Sequence, residues 1–195
     1  MIRLLLTFAL FAVALPAAED LHLGRSLEQW NKELKSGDRT ERLLAARALG
    51  EMGVAGSAGA LDALTAALAN KDSAVRFWAA IALGEMGDRA AAAGAALEKA
   101  LQDPTPEVRV WAAYALARQG RADESVPVLI EVLGDPERGA RLQAVTALDQ
   151  LGETGRPAAE AMQQAVSDDF DYVGRIARHA LWALGERPCP YRSCD

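Results

Sequence analysis

The chain has 195 residues, enough for one domain with a hydrophobic core, and 51% of them are hydrophobic while only 6% are aromatic. Much of the apolar content is therefore alanine, which favours helices and lets neighbouring helices approach closely. The net charge of −6 excludes a typical nucleic-acid-binding surface, because affinity for DNA or RNA comes mainly from cations that neutralise phosphates.

The first 18 residues have the pattern of a cleavable signal peptide. Arg3 precedes an apolar stretch, Leu4–Leu15, and small residues and then acidic ones follow. This stretch is shorter than the about 20 residues that a membrane-spanning helix needs, and no other run in the sequence is long enough. We expect cleavage of residues 1–18 between Ala14 and Ala18 and a periplasmic or secreted mature protein. The alternative is a buried N-terminal helix.

A sequence motif recurs five times after this segment, and each copy ends in a glycine. The four clearest copies read RLLAARALGEMG, RFWAAIALGEMG, RVWAAYALARQG and RLQAVTALDQLG. The closing glycines, which are 34, 33, 32 and 33 residues apart, are Gly53, Gly87, Gly120, Gly152 and Gly185. Such a period indicates stacked structural units, each of which buries its apolar face against its neighbours.

Each unit contains two stretches with apolar residues at helical spacing. In the first unit they are Leu27–Leu34 and Glu41–Met52. In each later unit, a polar turn rich in helix-capping residues separates a first helix from a second, alanine-rich helix that ends at the closing glycine. The later first helices are expected at Leu61–Leu68, Leu97–Leu101, Val126–Val132 and Ala158–Val166. The sequence therefore predicts an all-α domain of five helix pairs over residues 19–187.

The third copy and the turn before it read Asp-Pro-x-x-Glu-Val-Arg followed by x-x-Ala-Ala-x-Ala-Leu. This pattern resembles the HEAT repeat family, in particular its short PBS-lyase-like branch, over roughly residues 25–185. The resemblance implies a right-handed α-solenoid but says little about function, since such arrays serve many tasks. Units four and five, roughly residues 120–182, are also similar to the C-terminal HEAT appendage of secreted bacterial sulfatases, whose catalytic signature this chain lacks.

In arrays of this family the second helices line the concave surface, so their side chains opposite the core are candidates for partner binding. A helical wheel for the second unit places Val75 and Leu83 in the core and Phe77 and Ile81 on the opposite side. The same positions give an apolar stripe through units two to four and a basic, aromatic end in unit five. The candidate partner-binding residues are Phe77, Ile81, Val110, Tyr114, Leu142, Arg175, Arg178, His179 and Trp182.

Four aromatic residues of this stripe have two interpretations. Contiguous exposed apolar surface usually marks an interaction site, and we expect Phe77 and Tyr114 to be exposed. The alternative is that the side chains wedge between neighbouring second helices and are buried. We expect that outcome for Trp78 and Trp111, which lie on the flank of the face.

Arginines recur one position after the start of the second helices, at Arg76, Arg109 and Arg141. Because function rarely recurs in every repeat, their periodicity favours a structural role. We expect each one to pair with a turn aspartate of its own or a neighbouring unit, such as Asp72, Asp103 or Asp135.

The tail, residues 188–195, holds both cysteines, Cys189 and Cys194. In an oxidising compartment, two cysteines this close on a loop most often form a disulfide, and we expect one here. Zinc requires four ligands, and the chain has no further cysteine. Asp168, Asp169 and Asp171 lack the glycine and the spacing of a calcium loop. No metal site and no cofactor are predicted.

The sequence also lacks the parts of a catalytic site. His22 and His179 are its only histidines, neither precedes a glutamate as in HEAT-type di-iron hydroxylases, and no Ser-His-Asp arrangement is apparent. HEAT-type DNA glycosylases need a basic groove. Phycobilin lyases share the repeat style but act in the cytoplasm, which the signal peptide does not favour. No catalytic residue is therefore assigned.

Two binding hypotheses follow. The first is a non-catalytic scaffold that docks a protein partner, such as an exported sulfatase or similar hydrolase, on its concave face. The second is a glycan-binding module in which Tyr114 and Trp182 stack on sugars while Arg175 and Arg178 hold sulfate or carboxylate groups. Salt separates the two, because it releases an anionic glycan more readily than an apolar protein contact. A HEAT-type lyase subunit is the less favoured third reading.

Overall fold

The computed structural model describes residues 21–36 and 38–188. The expected signal peptide and the cysteines Cys189 and Cys194 lie outside these residues, so the cleavage and the disulfide stay predictions. In the described part of the chain, no helix combines the length and the apolarity that crossing a membrane requires.

This part of the chain contains five consecutive helix pairs, which confirms the predicted all-α solenoid. The first helices of the pairs are α1 (Leu27–Leu34), α3 (Ala58–Ala67), α5 (Gly94–Ala100), α7 (Ala122–Leu133) and α9 (Ala159–Ala165). The second helices are α2 (Arg39–Val54), α4 (Ser73–Met86), α6 (Pro106–Arg118), α8 (Arg138–Leu151) and α10 (Asp171–Ala183). Two 3₁₀ segments, Gly87–Ala93 and Gly152–Ala158, precede α5 and α9.

Local capping sets the ends of the helices. Asp38 and Asp72 accept hydrogen bonds from backbone N–H groups of the first turns of α2 and α4, at 3.0 Å in each case. At the other end of α4, Gly87 has a φ of 57°, a left-handed conformation that other residues rarely adopt. The first unit departs from this pattern, because α2 continues through Gly53 to Val54. Its closing glycine therefore does not cap the helix.

The core repeats with the sequence. The leucine of each Ala-Leu pair is at most 1% exposed in every unit: Leu49, Leu83, Leu116, Leu148 and Leu181. Burying one such side chain stabilises the fold by about 1.5–3 kcal/mol. Small residues then bring the second helices close together. A Cβ atom placed on Gly50 would lie only 2.8 Å from the Cβ of Ala82.

The second helices form the more tightly packed side of the stack. Each one contacts the next second helix extensively, from α2 through α10, whereas consecutive first helices contact each other much less. The spacing between units is therefore smaller on the side of the second helices, and a stack of unequal spacing curves toward its tighter side. We use the term groove face for the surface that the second helices present on this inner side.

Candidate functional site

An arginine ladder joins the units next to the groove face. The Nε and Nη2 atoms of Arg76 donate to the carboxylate of Asp103 at 2.6 and 2.8 Å, and its Nη1 donates to the Asn70 carbonyl at 2.9 Å. Arg141 repeats this arrangement with Asp168 at 2.7 and 2.9 Å. Each guanidinium thus binds the turn of its own unit and the turn aspartate of the next.

The other two rungs are less regular. Arg42 donates to Asp72 at 2.8 Å, whereas the Nη2 atom of Arg109 lies 4.0 Å from Asp135 and 3.7 Å from Glu131. The predicted pairing with turn aspartates is confirmed, and the partner belongs to the following unit each time. The ladder therefore stabilises the stack, and these arginines have a structural role.

The ladder also alters the acidity of its carboxyl groups. The hydrogen bond from Arg42 holds the pKa of Asp72 below its usual value, and Arg141 does the same for Asp168. At Asp103, burial alone would raise the pKa, but hydrogen bonds from Arg76 and from the Thr105 backbone outweigh it and lower the pKa. The ladder therefore favours the ionised form of these aspartates in the folded chain.

The aromatic residues of the predicted stripe pack against one another. The ring of Phe77 lies 5.6 Å from that of Trp78 and 6.4 Å from that of Trp111, and the Trp111 and Tyr114 rings are 5.2 Å apart, all edge to face. The Trp111 indole donates to Gln143 at 2.9 Å, which links α6 to α8. The cluster is thus part of the packing between second helices.

The expected exposure of Tyr114 is wrong, and Val110, a candidate partner-binding residue, is buried as well. Val110 is 0% and Tyr114 only 5% exposed, and Trp111 is buried as expected. Gly84 explains this, because a Cβ there would lie 2.7 Å from the Tyr114 ring, so α4 leaves room for the ring only by lacking a side chain. The Tyr114 hydroxyl accepts a hydrogen bond from Nη1 of Arg118 at 2.9 Å.

Three other predicted apolar residues keep part of their surface. Phe77, Ile81 and Leu142 are partly buried against the core. Trp78, which was expected to be buried, is also only partly buried. Accessible apolar surface on α2 and α4 thus includes Trp78 and Ile81, which are partly buried, and Leu44, which is 43% exposed.

A cavity of about 340 Å³ opens between α2 and α4 at this surface. Its lining consists of Arg47, Gly50, Glu51, Trp78, Ile81, Ala82 and Glu85. Within it, Arg47 pairs with Glu51 at 3.2 Å, and the second carboxylate oxygen of Glu51 lies 2.9 Å from Nε2 of His22. Glu85 is exposed and has no hydrogen bond or ion pair to any residue that the structure describes.

Sequence reasoning missed Glu51 and Glu85. A signal was present, because both stand in the same Gly-Glu-Met triplet of the first two repeats and so occupy equivalent places on α2 and α4. The third repeat has Arg118 at this place. Only the first two units therefore have a glutamate there.

The predicted basic, aromatic end in unit five carries its own counter-ions. Arg175 and Arg178 lie 3.9 and 3.8 Å from the carboxylate of Asp171, and Arg178 also donates to the Val166 carbonyl at 3.2 Å. Trp182 is 37% exposed, and its ring lies 5.6 Å from that of His179. The structure brings these side chains together on α10. The two arginines already have partners in the same chain, as the distances above show.

His179 links α10 to α8, since its Nδ1 lies 2.7 Å from the Asp149 carboxylate. Tyr172 is a further exposed aromatic residue at this end that sequence reasoning missed; it is 58% exposed, and the Arg175 guanidinium stacks on it at 5.7 Å.

No group of three or more His, Cys, Asp or Glu side chains within residues 21–36 and 38–188 is arranged to hold a metal ion.

Known structures show the same fold. A protein of the complex of CpcE and CpcF of phycocyanin lyase from Nostoc sp. PCC7120 is 26% identical with a TM-score of 0.63, over 89% of this chain and 71% of that one. An engineered protein is also 26% identical, with a TM-score of 0.54 over 81% and 78% of the two chains. A designed armadillo repeat protein in complex with the peptide (KR)4 is 21% identical, with a TM-score of 0.55 over 82% of each chain.

The family is settled by sequence models as well as by shape. No curated protein sequence matches the chain. The model of HEAT repeats, however, matches residues 27–94 and 94–185, which together span the helical array from α1 to the last closing glycine. The chain therefore belongs to the HEAT repeat family.

Proposed function

We propose that this chain is a non-catalytic, exported scaffold that binds a protein partner through the groove face. The observation that carries the proposal is the cavity between α2 and α4, where the accessible apolar surface of Trp78 and Ile81 adjoins charged groups. Apolar walls with a few polar groups at the rim are typical of sites that accept an anchoring side chain.

The second support is the relation to the Nostoc protein, which takes part in the complex of CpcE and CpcF. A HEAT repeat chain that is 26% identical to this one thus assembles with another protein. The same neighbour keeps a lyase subunit as the second candidate. We favour the scaffold because the N-terminal pattern predicts export, whereas phycobilin lyases act in the cytoplasm.

We infer the kind of partner from the same reasoning. The pattern of residues 1–18 supports export of the mature chain to the periplasm or to the outside of the cell. The resemblance of units four and five to sulfatase appendages then favours an exported hydrolase such as a sulfatase as the protein that docks there.

An anionic glycan is the weaker alternative. It requires Arg175 and Arg178 to bind sulfate or carboxylate groups, yet both lie near Asp171 and Arg178 also serves the Val166 carbonyl. It further requires Tyr114 to stack on sugars, and this ring is buried. A protein ligand on the groove face requires neither the two arginines nor the Tyr114 ring.

The test is capture of partners by the tagged mature chain from the extracytoplasmic fraction of its host. The groove variant carries Leu44→Gln and Ile81→Gln, which remove apolar contacts without adding charge. The control carries Leu61→Gln and Val128→Gln, two partly buried apolar residues of first helices. Circular dichroism checks that both variants fold.

We expect the wild type and the control to retain the same partner and the groove variant to lose it. Retention of the partner by all three proteins would contradict the proposal, as would the absence of any retained protein. Release by salt of an anionic polysaccharide from the wild type would favour the glycan alternative instead.

A further inference from the structure

Deepening the proposed function, we propose that the cavity between α2 and α4 accepts a lysine or arginine side chain from a peptide segment of the partner. The walls and the rim of this cavity match the two parts of such a side chain, namely an apolar stem and a cationic head.

The apolar wall comes from α4. Trp78 and Ile81 are one helical turn apart and both keep accessible surface. The Phe77 ring meets Trp78 edge to face at 5.6 Å with an interplanar angle of 81°, so the indole has a fixed neighbour on that side. An aliphatic stem gains burial on such a surface, and a cation near an indole ring gains cation–π attraction.

The charge at the rim selects a cation. The cavity is lined by one arginine and two glutamates. Arg47 and His22 already face Glu51, at 3.2 and 2.9 Å, whereas Glu85 has no ion-pair partner in the described parts of the chain. Glu85 stands one turn beyond Ile81 on the same helix, so a stem lying on Ile81 brings its head group to this carboxylate. An anionic side chain would meet the same carboxylate unfavourably, in a chain of net charge −6.

The next pair of units does not offer the same site. Between α4 and α6, the Tyr114 ring lies against Gly84 and closes the equivalent space. Arg118 replaces the glutamate there and donates to the Tyr114 hydroxyl at 2.9 Å. The second pair of units thus presents a filled space with an arginine where the first presents an open space with a second glutamate.

The probes are two blocked tripeptides, acetyl-Gly-Lys-Gly-amide and the same peptide with norleucine in place of lysine, which keeps the stem and removes the charge. Binding is followed by the indole N–H resonances of the folded mature chain at low salt. The Trp78 resonance is assigned with Trp78→Phe. The indoles of Trp30 and Trp111, which donate to the His22 carbonyl and to Gln143, serve as internal references.

We expect the lysine peptide to shift the Trp78 resonance and to bind about three- to fivefold more tightly than the norleucine peptide, on the scale of an exposed ion pair. Glu85→Gln should remove this preference. Glu160→Gln, which changes an exposed glutamate of α9 remote from the cavity, should retain it. Raising the salt concentration should also abolish the preference.

Equal binding of both peptides, an unchanged preference in Glu85→Gln, or a shift at Trp182 in place of Trp78 would overturn the inference. The inference and the proposed function fail separately. A groove-dependent protein partner without any preference for lysine would leave the scaffold function standing, whereas a lysine preference without a groove-dependent partner would contradict the scaffold function.

Discussion

Two arginines of the ladder, Arg76 and Arg141, each bind the turn of their own unit and the turn of the next. Arg76 makes two hydrogen bonds to Asp103 and one to the Asn70 carbonyl, while its side chain and that of Asp103 are only 12% and 7% exposed. Removing one member of so buried a pair leaves the other charge without compensation. The contribution of the ladder is therefore best measured by truncating a single arginine.

We predict that Arg76→Ala lowers the free energy of unfolding by about 2–4 kcal/mol, because Asp103 would remain buried without its partner. Arg47→Ala is the control. Arg47 is 69% exposed and pairs with Glu51 along one helix, so its loss should cost less than about 1 kcal/mol. Urea unfolding measures both values, and equal costs would contradict the structural role of the ladder.

The lowered pKa values of Asp72, Asp103 and Asp168 predict that stability falls in acid. Their folded-state pKa lies below the unfolded value of about 3.9, so their contribution is complete above that pH and is lost as the pH falls through the folded-state pKa. Unfolding by urea should therefore be steeply pH-dependent below about pH 4. A variant with Asp72→Asn and Asp103→Asn should be less stable at neutral pH and show a weaker dependence, and an unchanged slope would refute this account.

Sequence reasoning was most accurate for side chains whose role repeats. The arginines were predicted correctly because the same residue recurs at the same place in consecutive repeats. Tyr114 was misplaced because a helical wheel treats one helix in isolation, whereas the burial of this ring depends on Gly84 of the preceding helix. Glu85 was overlooked because the cavity beside it depends on two small residues of neighbouring helices, Gly50 and Ala82, which a single-helix pattern does not reveal.

At the scale of elements, small residues decide how closely second helices approach. Gly50 lies inside α2, where glycine costs about 1 kcal/mol of helix stability relative to alanine. The close approach of Ala82 accounts for its presence, because a Cβ there would lie 2.8 Å from the Cβ of Ala82. Helix propensity and interhelix packing therefore oppose each other at this position.

We predict that Gly50→Ala destabilises the chain by about 1–3 kcal/mol in spite of its higher helix propensity, because overpacking forces α2 and α4 apart. Gly139→Ala in α8 is the matched control. Its nearest neighbour would be Glu107 Oε1 at 3.9 Å, an ordinary contact, so helix propensity should prevail and leave stability unchanged or raise it by up to about 1 kcal/mol. Thermal unfolding of both variants tests the pair, and a stabilising Gly50→Ala would contradict the packing argument.

The sequence predicted the number and order of the helix pairs, but not the irregular first helices. Periodicity identified Leu97–Leu101 and Ala158–Val166, and the structure adds the 3₁₀ segments Gly87–Ala93 and Gly152–Ala158 before them. These segments are short and rich in alanine, glycine or proline, so they carry too few apolar residues for a period to be read. Helix α2 likewise extends past the glycine that was expected to end it.

At the scale of the whole molecule, the ladder has distinct ends. Asp38 occupies the place in the first unit that an aspartate occupies in each later unit, namely Asp72, Asp103, Asp135 and Asp168. No earlier unit among the described residues supplies an arginine to pair with Asp38. In α10, Gly174 replaces the arginine, and a Cβ there would lie 2.7 Å from the Val166 carbonyl oxygen. The last described unit therefore does not offer a rung for a further repeat of the same kind.

The mature form of the protein is a second prediction at this scale. If residues 1–18 are a signal peptide, the exported chain begins between residues 15 and 19. If Cys189 and Cys194 form a disulfide, its mass is two hydrogens below that of the reduced chain. Intact-mass measurement of chain from the extracytoplasmic fraction, with and without reduction, tests both. A full-length or fully reduced exported chain would contradict one prediction or the other.

The central claim is that the groove face is where a protein partner binds. Hydrogen–deuterium exchange of the mature chain, with and without its captured partner, tests this most directly, because it reports the bound surface on every helix without any substitution. We predict added protection in α2 and α4 and little change in the first helices α3 and α7. Protection confined to the first helices, or none in α2 and α4, would contradict the claim.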